Sequence, residues 1–263
     1  MRGHAVTYPV FPAKHGLDAI VTPQEMLAHR RRGGRLPELA PIDAAVICLQ
    51  RGLPERLKRQ VRLRRVGRLM GDLYLVRGIT RRVAVLTDFG LGAPIVAAQA
   101  EELIALGARR VVSVALAGGM QPDLVAGTIV VPDGALRDEG TSHHYLPPGD
   151  EIQVDSALAD QLAYVIGQRT ASPRRGRTWS TDAPYRETKA EVLHHQAAGV
   201  LTVDMELAAL LAVAAARGVA AAGVLVAGDS LAGGVWRPPE SLDVMERALA
   251  VAYRAAIEVL DGT

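Results

Sequence analysis

An acid that closes an apolar run, VLVAGD at residues 224–229, is the group in this chain best placed to do chemistry. Asp229 is approached through apolar residues and followed by the loop SLAGGVW, so its carboxyl can carry a raised pKa and act as a general acid near neutral pH. The plainer reading is a turn cap, a common use of aspartate. A second acid, Glu206, lies in VDMELAALLAVAAARG, at the first turn of an Ala-rich apolar helix. Either it favours the positive end of the helix dipole, beside a cap supplied by Asp204 or Thr202, or it faces a pocket and accepts hydrogen bonds from vicinal sugar hydroxyls.

Small residues mark two further sites. The run RVVSVALAGG ends in Ala117-Gly118-Gly119, and RVAVLTDFGLG ends in Gly90-Leu91-Gly92. Such breaks at strand ends let backbone amides approach a ligand closely. The second lacks the third glycine of a dinucleotide fingerprint, because Ile95 stands in its place. The adjacent pairs His143-His144 and His194-His195 read as surface or loop residues and not metal ligands, since neighbouring side chains diverge.

The elements that must carry these groups alternate. AAVICL, LYLV, VAVLTDFG, RRVVSVAL, TIVVPDGAL and VAAAGVLVAGD read as strands of a buried sheet. Helices are expected over Pro23–Arg32, from Pro94 to Gly107, over Ser156–Gln168 and Lys189–Gln196, from Met205 to Gly218, and over Ser241–Leu260. The alternation predicts an α/β fold with a mostly parallel sheet: an arm or packed extension over residues 1–42, then a single domain over 43–263.

Composition narrows the function classes. Of 263 residues, 49% are hydrophobic and 22% charged, with a net charge of +2, as in an ordinary globular enzyme and not a polyanion binder. Arginines cluster at 30–32, 62–68 and 174–177, but with only two Trp, two Phe and six Tyr there is little stacking surface for single-stranded nucleic acid. The single cysteine, Cys48, sits in an apolar run and reads as a buried, reduced thiol. Neither a signal-peptide pattern nor a membrane-spanning apolar stretch is present, so no membrane partner is expected and the expected compartment is the cytoplasm.

Taken in order, the G-x-G-x-P of residues 90–94, the strand ending in small residues, QPDLVAGTIVVPDGALRDEGTSHHYLP, STDAPYRET, VDMELAALLAVA and a strand ending in GDS resemble the nucleoside phosphorylase family over roughly residues 80–260. The resemblance implies a three-layer α/β/α domain around a mixed, mostly parallel twisted sheet, in an enzyme that transfers a pentose from a small-molecule nucleoside to inorganic phosphate as co-substrate, without a cofactor or metal. It further implies a homodimer or trimer of dimers with active sites at subunit contacts. By the same resemblance, Met205 packs under the ribose, Glu206 accepts from its hydroxyls, and Asp229 protonates or hydrogen-bonds the leaving base.

STDAPYRET would line the base pocket, with Trp179 or Tyr185 supplying the stacking surface because Pro184 stands where relatives often have an aromatic. Arg186 would read a base carbonyl, or serve as an ordinary surface ion pair. The phosphate positions depart from the family. Ser113 occupies the place of its strand arginine and Leu116 that of its hydroxyl, while GLPER (Gly52, Pro54, Arg56) echoes its phosphate loop with Leu53 in place of the acid. Arg68 and His4 are candidate contributions to phosphate binding and to a neighbouring subunit's site. A nucleosidase that uses water, or a nucleoside-binding homologue of weak activity, is the alternative.

Overall fold

A computed structural model gives the structure of the chain and describes residues 10–11, 13–50, 55–239 and 241–262. His4 and Gly52 lie outside the described residues, as does the side chain of Arg56.

The first α-helix is α1 (Pro23–Arg32), opened by a capping box in which Thr22 Oγ1 accepts from the Glu25 N–H and Glu25 answers at the Thr22 N–H. Strand β1 (Ala44–Cys48) and helix α2 (Glu55–Gln60) follow, then β2 (Leu63–Arg68), β3 (Asp72–Val76), β4 (Val83–Thr87), helix α3 (Ala93–Ala105) and β5 (Arg110–Gly119). The second half runs β6 (Ile129–Asp138), β7 (Glu151–Gln153), α4 (Ser156–Gly167), β8 (Arg174–Thr181), α5 (Lys189–Ala197), β9 (Thr202–Asp204), α6 (Leu207–Arg217), β10 (Ala220–Ser230) and α7 (Leu242–Asp261).

The unbroken apolar runs of the central strands have a simple cause. In β1, Ala45 and Ile47 enter one core, which α1, α3 and α6 cover, while Ala44, Val46 and Cys48 enter another, under α2, α4 and α7. Both faces are buried, so the strand cannot alternate between apolar and polar residues. The three-layer α/β/α arrangement follows. Helix α1 belongs to this packing: Leu27 enters the first core, and the Arg30 guanidinium forks onto Glu102 of α3 at 2.8 and 3.1 Å.

The sheet is mixed. β1 pairs in parallel with β4 and β5, β5 with β10, and β6 with β8, whereas β2 and β3 add an antiparallel edge. At its other end the sheet does more than twist. β5, β10, β6, β8 and β9 pair around a closed ring, because the short β9 bridges β8 and the end of β5. Several of these strands were not legible beforehand. β2 and β8 carry arginines at alternating or successive positions (LRRVGR, RRGRTWST), and β9 is three residues long.

The arginine clusters are largely spent on ion pairs. Arg65 and Arg68 engage Asp72, Arg174 engages Asp123, Arg175 engages Asp133 and Asp160, and Arg177 engages Glu151. Among the described residues, no helix is long and apolar enough to cross a membrane.

Candidate active site

The small-residue turn after β4, the end of β5, the β9–α6 junction and the end of β10 converge at one end of the sheet. Gly118 and Gly119 pair with Val203 and Thr202 of β9, which closes the ring. A Cβ on Gly118 would lie 2.6 Å from Leu231 Cδ1, 2.9 Å from Val203 Cγ1 and 3.4 Å from Asp229 Oδ1. The break at Ala117-Gly118-Gly119 is therefore needed for β9 and the Asp229 loop to close over the end of β5.

Glu206 directly precedes α6 and is not inside its first turn as expected. It is buried at 5% exposure, and its Oε1 accepts the Gly92 N–H at 2.7 Å while Oε2 accepts the Met205 N–H at 3.2 Å. Gly92 holds φ at +102°, a region that other residues rarely adopt, and this conformation aims its N–H at the carboxyl. The helix cap is Asp204. Its Oδ2 accepts from the N–H groups of Glu206 (3.1 Å) and Leu207 (2.7 Å), and its Oδ1 accepts from the hydroxyls of Ser180 (2.7 Å) and Thr178 (3.2 Å). Thr202 does not serve as the cap; its hydroxyl is buried without a hydrogen-bond partner among the described residues.

Burial raises the pKa of Asp204, and burial followed by the charge of Asp204 pushes Glu206 up to about 7. A carboxyl held above its unfolded value of 4.5 is more readily ionised in the unfolded chain, so the stability it confers is full below pH 4.5 and is lost as pH rises to about 7. We expect denaturant midpoints to fall between pH 4.5 and 7, Glu206 contributing roughly 3 kcal/mol of that decline. Glu206→Gln, which cannot ionise, should remove that share of the slope and leave the part that Asp204 and Glu187 supply. An unchanged slope in that variant refutes the assignment.

Asp229 is aimed by a bulge. Between Ala227, opposite Ala117, and Ser230, opposite Gly119, β10 carries one residue more than β5, so the Gly228-Asp229 segment leaves the ladder. The carboxyl is partly exposed, its Oδ1 facing Gly118 and its Oδ2 accepting the Trp236 indole N–H at 2.6 Å. Asp229 borders a cleft of about 740 Å³, with Leu124, Gln196, Arg237 and Val244 among the other walls. Met205, half-buried, and Glu206 lie off that cleft, towards the Gly92 turn.

A smaller cleft of about 250 Å³ is lined by Asp138, Asp182, Arg186, Glu187 and Glu191 among others. Half-burial, and next the charge of Asp229, push Glu187 up to about 7, so this second carboxyl belongs to the surroundings of Asp229. Neither Glu187 nor Trp236 was singled out as a site residue from sequence. Both stand inside stretches whose pattern drew notice, STDAPYRET and SLAGGVW, but only the fold shows that they face the same acid.

Other expectations are corrected. Trp179 lines the smaller cleft but is only 1% exposed, packs its ring against His195 at 4.7 Å and gives its indole N–H to Asp138 at 2.8 Å, so little of its ring is open to a base. Tyr185 is 99% exposed at the tip of the turn Pro184–Arg186 and does not line the cleft beside Arg186. Ser113 is buried in mid-sheet between Ile47 and Gly223, and an anion cannot reach it without displacing the core, whereas Leu116 is exposed. Arg68, engaged by Asp72 on the far edge strand, lies apart from Asp229 and Glu206 within one subunit, which leaves the expected contribution across a subunit contact as its route to a site.

His143 is buried, not at the surface, with Nε2 3.2 Å from the Arg137 carbonyl oxygen, and the half-buried His195 lies against Trp179. Cys48 is buried, and that burial raises its thiol pKa although the Tyr253 hydroxyl lies 2.8 Å from Sγ.

Comparison with known proteins places this geometry. Residues 46–261 match the family model of the phosphorylase superfamily. A purine nucleoside phosphorylase of the DeoD type from Myxococcus xanthus is 29% identical over 229 residues, 81% of this chain and 95% of that protein. A uridine phosphorylase from Treponema pallidum is 53% identical over 58 residues, 22% of each chain. The match to the Salmonella typhimurium uridine phosphorylase, 28% identical over 162 residues, covers 55% of this chain and 64% of that protein. The chain thus spans less than two thirds of the last two relatives. The crystal structure of Vibrio fischeri uridine phosphorylase shares the fold, with a TM-score of 0.69 and 24% identity over 84% of this chain and 92% of that one. The matched residues carry the Gly92 turn, the end of β5, the Glu206 junction and the Asp229 bulge, and the chain belongs to the phosphorylase superfamily.

Proposed function

We propose that this protein is a nucleoside phosphorylase, a pentosyltransferase that cleaves the N-glycosidic bond of a nucleoside with phosphate to release the base and a pentose 1-phosphate. Membership of the superfamily, with relatives named purine nucleoside and uridine phosphorylase, supports this reading. The observation that carries it is the arrangement of two carboxyls on converging strand ends: Glu206, buried and held by the Gly92 N–H, and Asp229, turned out of the ladder by the bulge. Breaking the bond builds positive charge on the sugar and negative charge on the base. Glu206, with Met205 beside it, serves the sugar, and Asp229 delivers a proton to the base. Arg186 and Glu187 form the polar wall from which the base is read.

Phosphate is the co-substrate in this scheme. The residues of GLPER would hold it, and in an assembly of copies Arg68, on the edge strand, would serve a neighbouring subunit's site. One observation favours water instead: Ser113 is buried and Leu116 is exposed where phosphate ligands would stand. The test is a panel of purine and pyrimidine nucleosides assayed with and without inorganic phosphate. Phosphorolysis predicts base release only with phosphate, with stoichiometric pentose 1-phosphate. Equal release without phosphate makes the protein a nucleosidase.

A further inference from the structure

Trp236 is 63% exposed, yet its loop is tightly braced. Ser230 and Arg237 exchange backbone hydrogen bonds at 2.8 and 2.9 Å across the base of the loop, and Arg237 Nη1 donates to the Ala232 carbonyl at 3.0 Å. The Gly233 N–H donates to Gln196 Oε1 at 3.0 Å, which ties the loop to α5. On this fixed loop one edge of the ring is engaged: the indole N–H meets Asp229 Oδ2 at 2.6 Å.

The indole nitrogen can only donate, so Oδ2 must accept. The carbonyl oxygen of a neutral carboxyl accepts better than its hydroxyl oxygen, so this bond biases the hydrogen of a neutral Asp229 towards Oδ1, which faces Gly118, where a side chain would intrude. We propose that Trp236 is a positioning residue that selects Oδ1 of Asp229 as the oxygen that delivers the proton to the leaving base. This rests on the nucleoside-cleaving reading above. The C–N bonding pair leaves with the base, the base nitrogen takes the hydrogen from Oδ1, and the resulting carboxylate keeps the indole hydrogen bond at Oδ2. The acceptor phosphate oxygen bonds to the sugar carbon, and the proton that phosphate then sheds to solvent is balanced by the one Asp229 regains.

The experiment uses the full-length protein and the best nucleoside of the panel. Trp236→Phe keeps a ring and removes the donor; it should lower kcat about tenfold with KM changed less than about twofold and the melting temperature preserved. Trp236→His, whose ring can donate to the same oxygen, should recover most of kcat. In a double-mutant cycle with Asp229→Ala, the coupling should equal the whole Trp236→Phe loss, since no carboxyl is left to orient. Additive losses, or a Trp236→Phe enzyme that keeps wild-type kcat, overturn the proposal while the activity stands. A wild-type protein inactive on every nucleoside overturns both.

Discussion

Asp229→Ala should lower the rate of base release by about 10²–10⁴-fold, the range that a positioned proton donor supplies. The departing base carries the bonding electrons, and without a donor it must leave as an anion or wait for solvent. The carboxyl is partly exposed and its side-chain hydrogen bond runs to the exposed indole of Trp236, so the variant should lose little stability. Asp229→Asn should fall between the two enzymes. Its amide oxygen accepts the Trp236 N–H and its NH₂ faces the base, which keeps a hydrogen bond but cannot transfer a proton. Turnover measured across the nucleoside panel decides the matter: wild-type kcat in Asp229→Ala refutes the mechanism.

Glu206→Gln should lower kcat/KM by about 10²–10³-fold, for two additive physical reasons. The carboxyl stabilises a sugar that gains positive charge in the transition state, and a charge-assisted hydrogen bond to a sugar hydroxyl is worth roughly 1.5–3 kcal/mol. The amide also cannot accept at both ends. Glu206 takes the Gly92 N–H on one oxygen and the Met205 N–H on the other, so glutamine turns its NH₂ against one of these donors. A buried N–H left without an acceptor costs about 1–3 kcal/mol, and the misfit should loosen the Gly90–Gly92 turn. Steady-state kinetics with the preferred nucleoside, alongside denaturant unfolding, separate the two contributions. A variant with unchanged kcat/KM would remove Glu206 from the sugar site.

Much of the site was legible because it is written in local chemistry. An acid after VLVAG, an acid at the head of an Ala-rich helix and glycines at strand ends are visible in short windows, and the boundaries of α1, α4 and α5 follow from caps and helix stops a few residues away. What was misjudged depends on distant partners. Trp179 looked like a stacking surface until β8 and β9 paired and carried it into a cluster with Met120, Val192, Val200 and Val203. His143 looked exposed until the Arg137 carbonyl oxygen received it. Ser113 occupies a position where anion binding was entertained, yet its side chain turns into the sheet's buried middle, beside Gly223.

By itself the amino-acid sequence determined the α/β class, the two acids and the small residues between them, since these rest on composition, period and spacing along the chain. The tertiary structure alone decided how those groups are used. Closure of the ring through β9 required Gly118 to lack a side chain, the bulge in β10 turned Asp229 outward, and the Gly92 N–H locked Glu206 in place. Each of these is a contact between residues far apart in the chain, whose geometry is set by sheet register and backbone dihedrals and leaves no periodic mark in sequence.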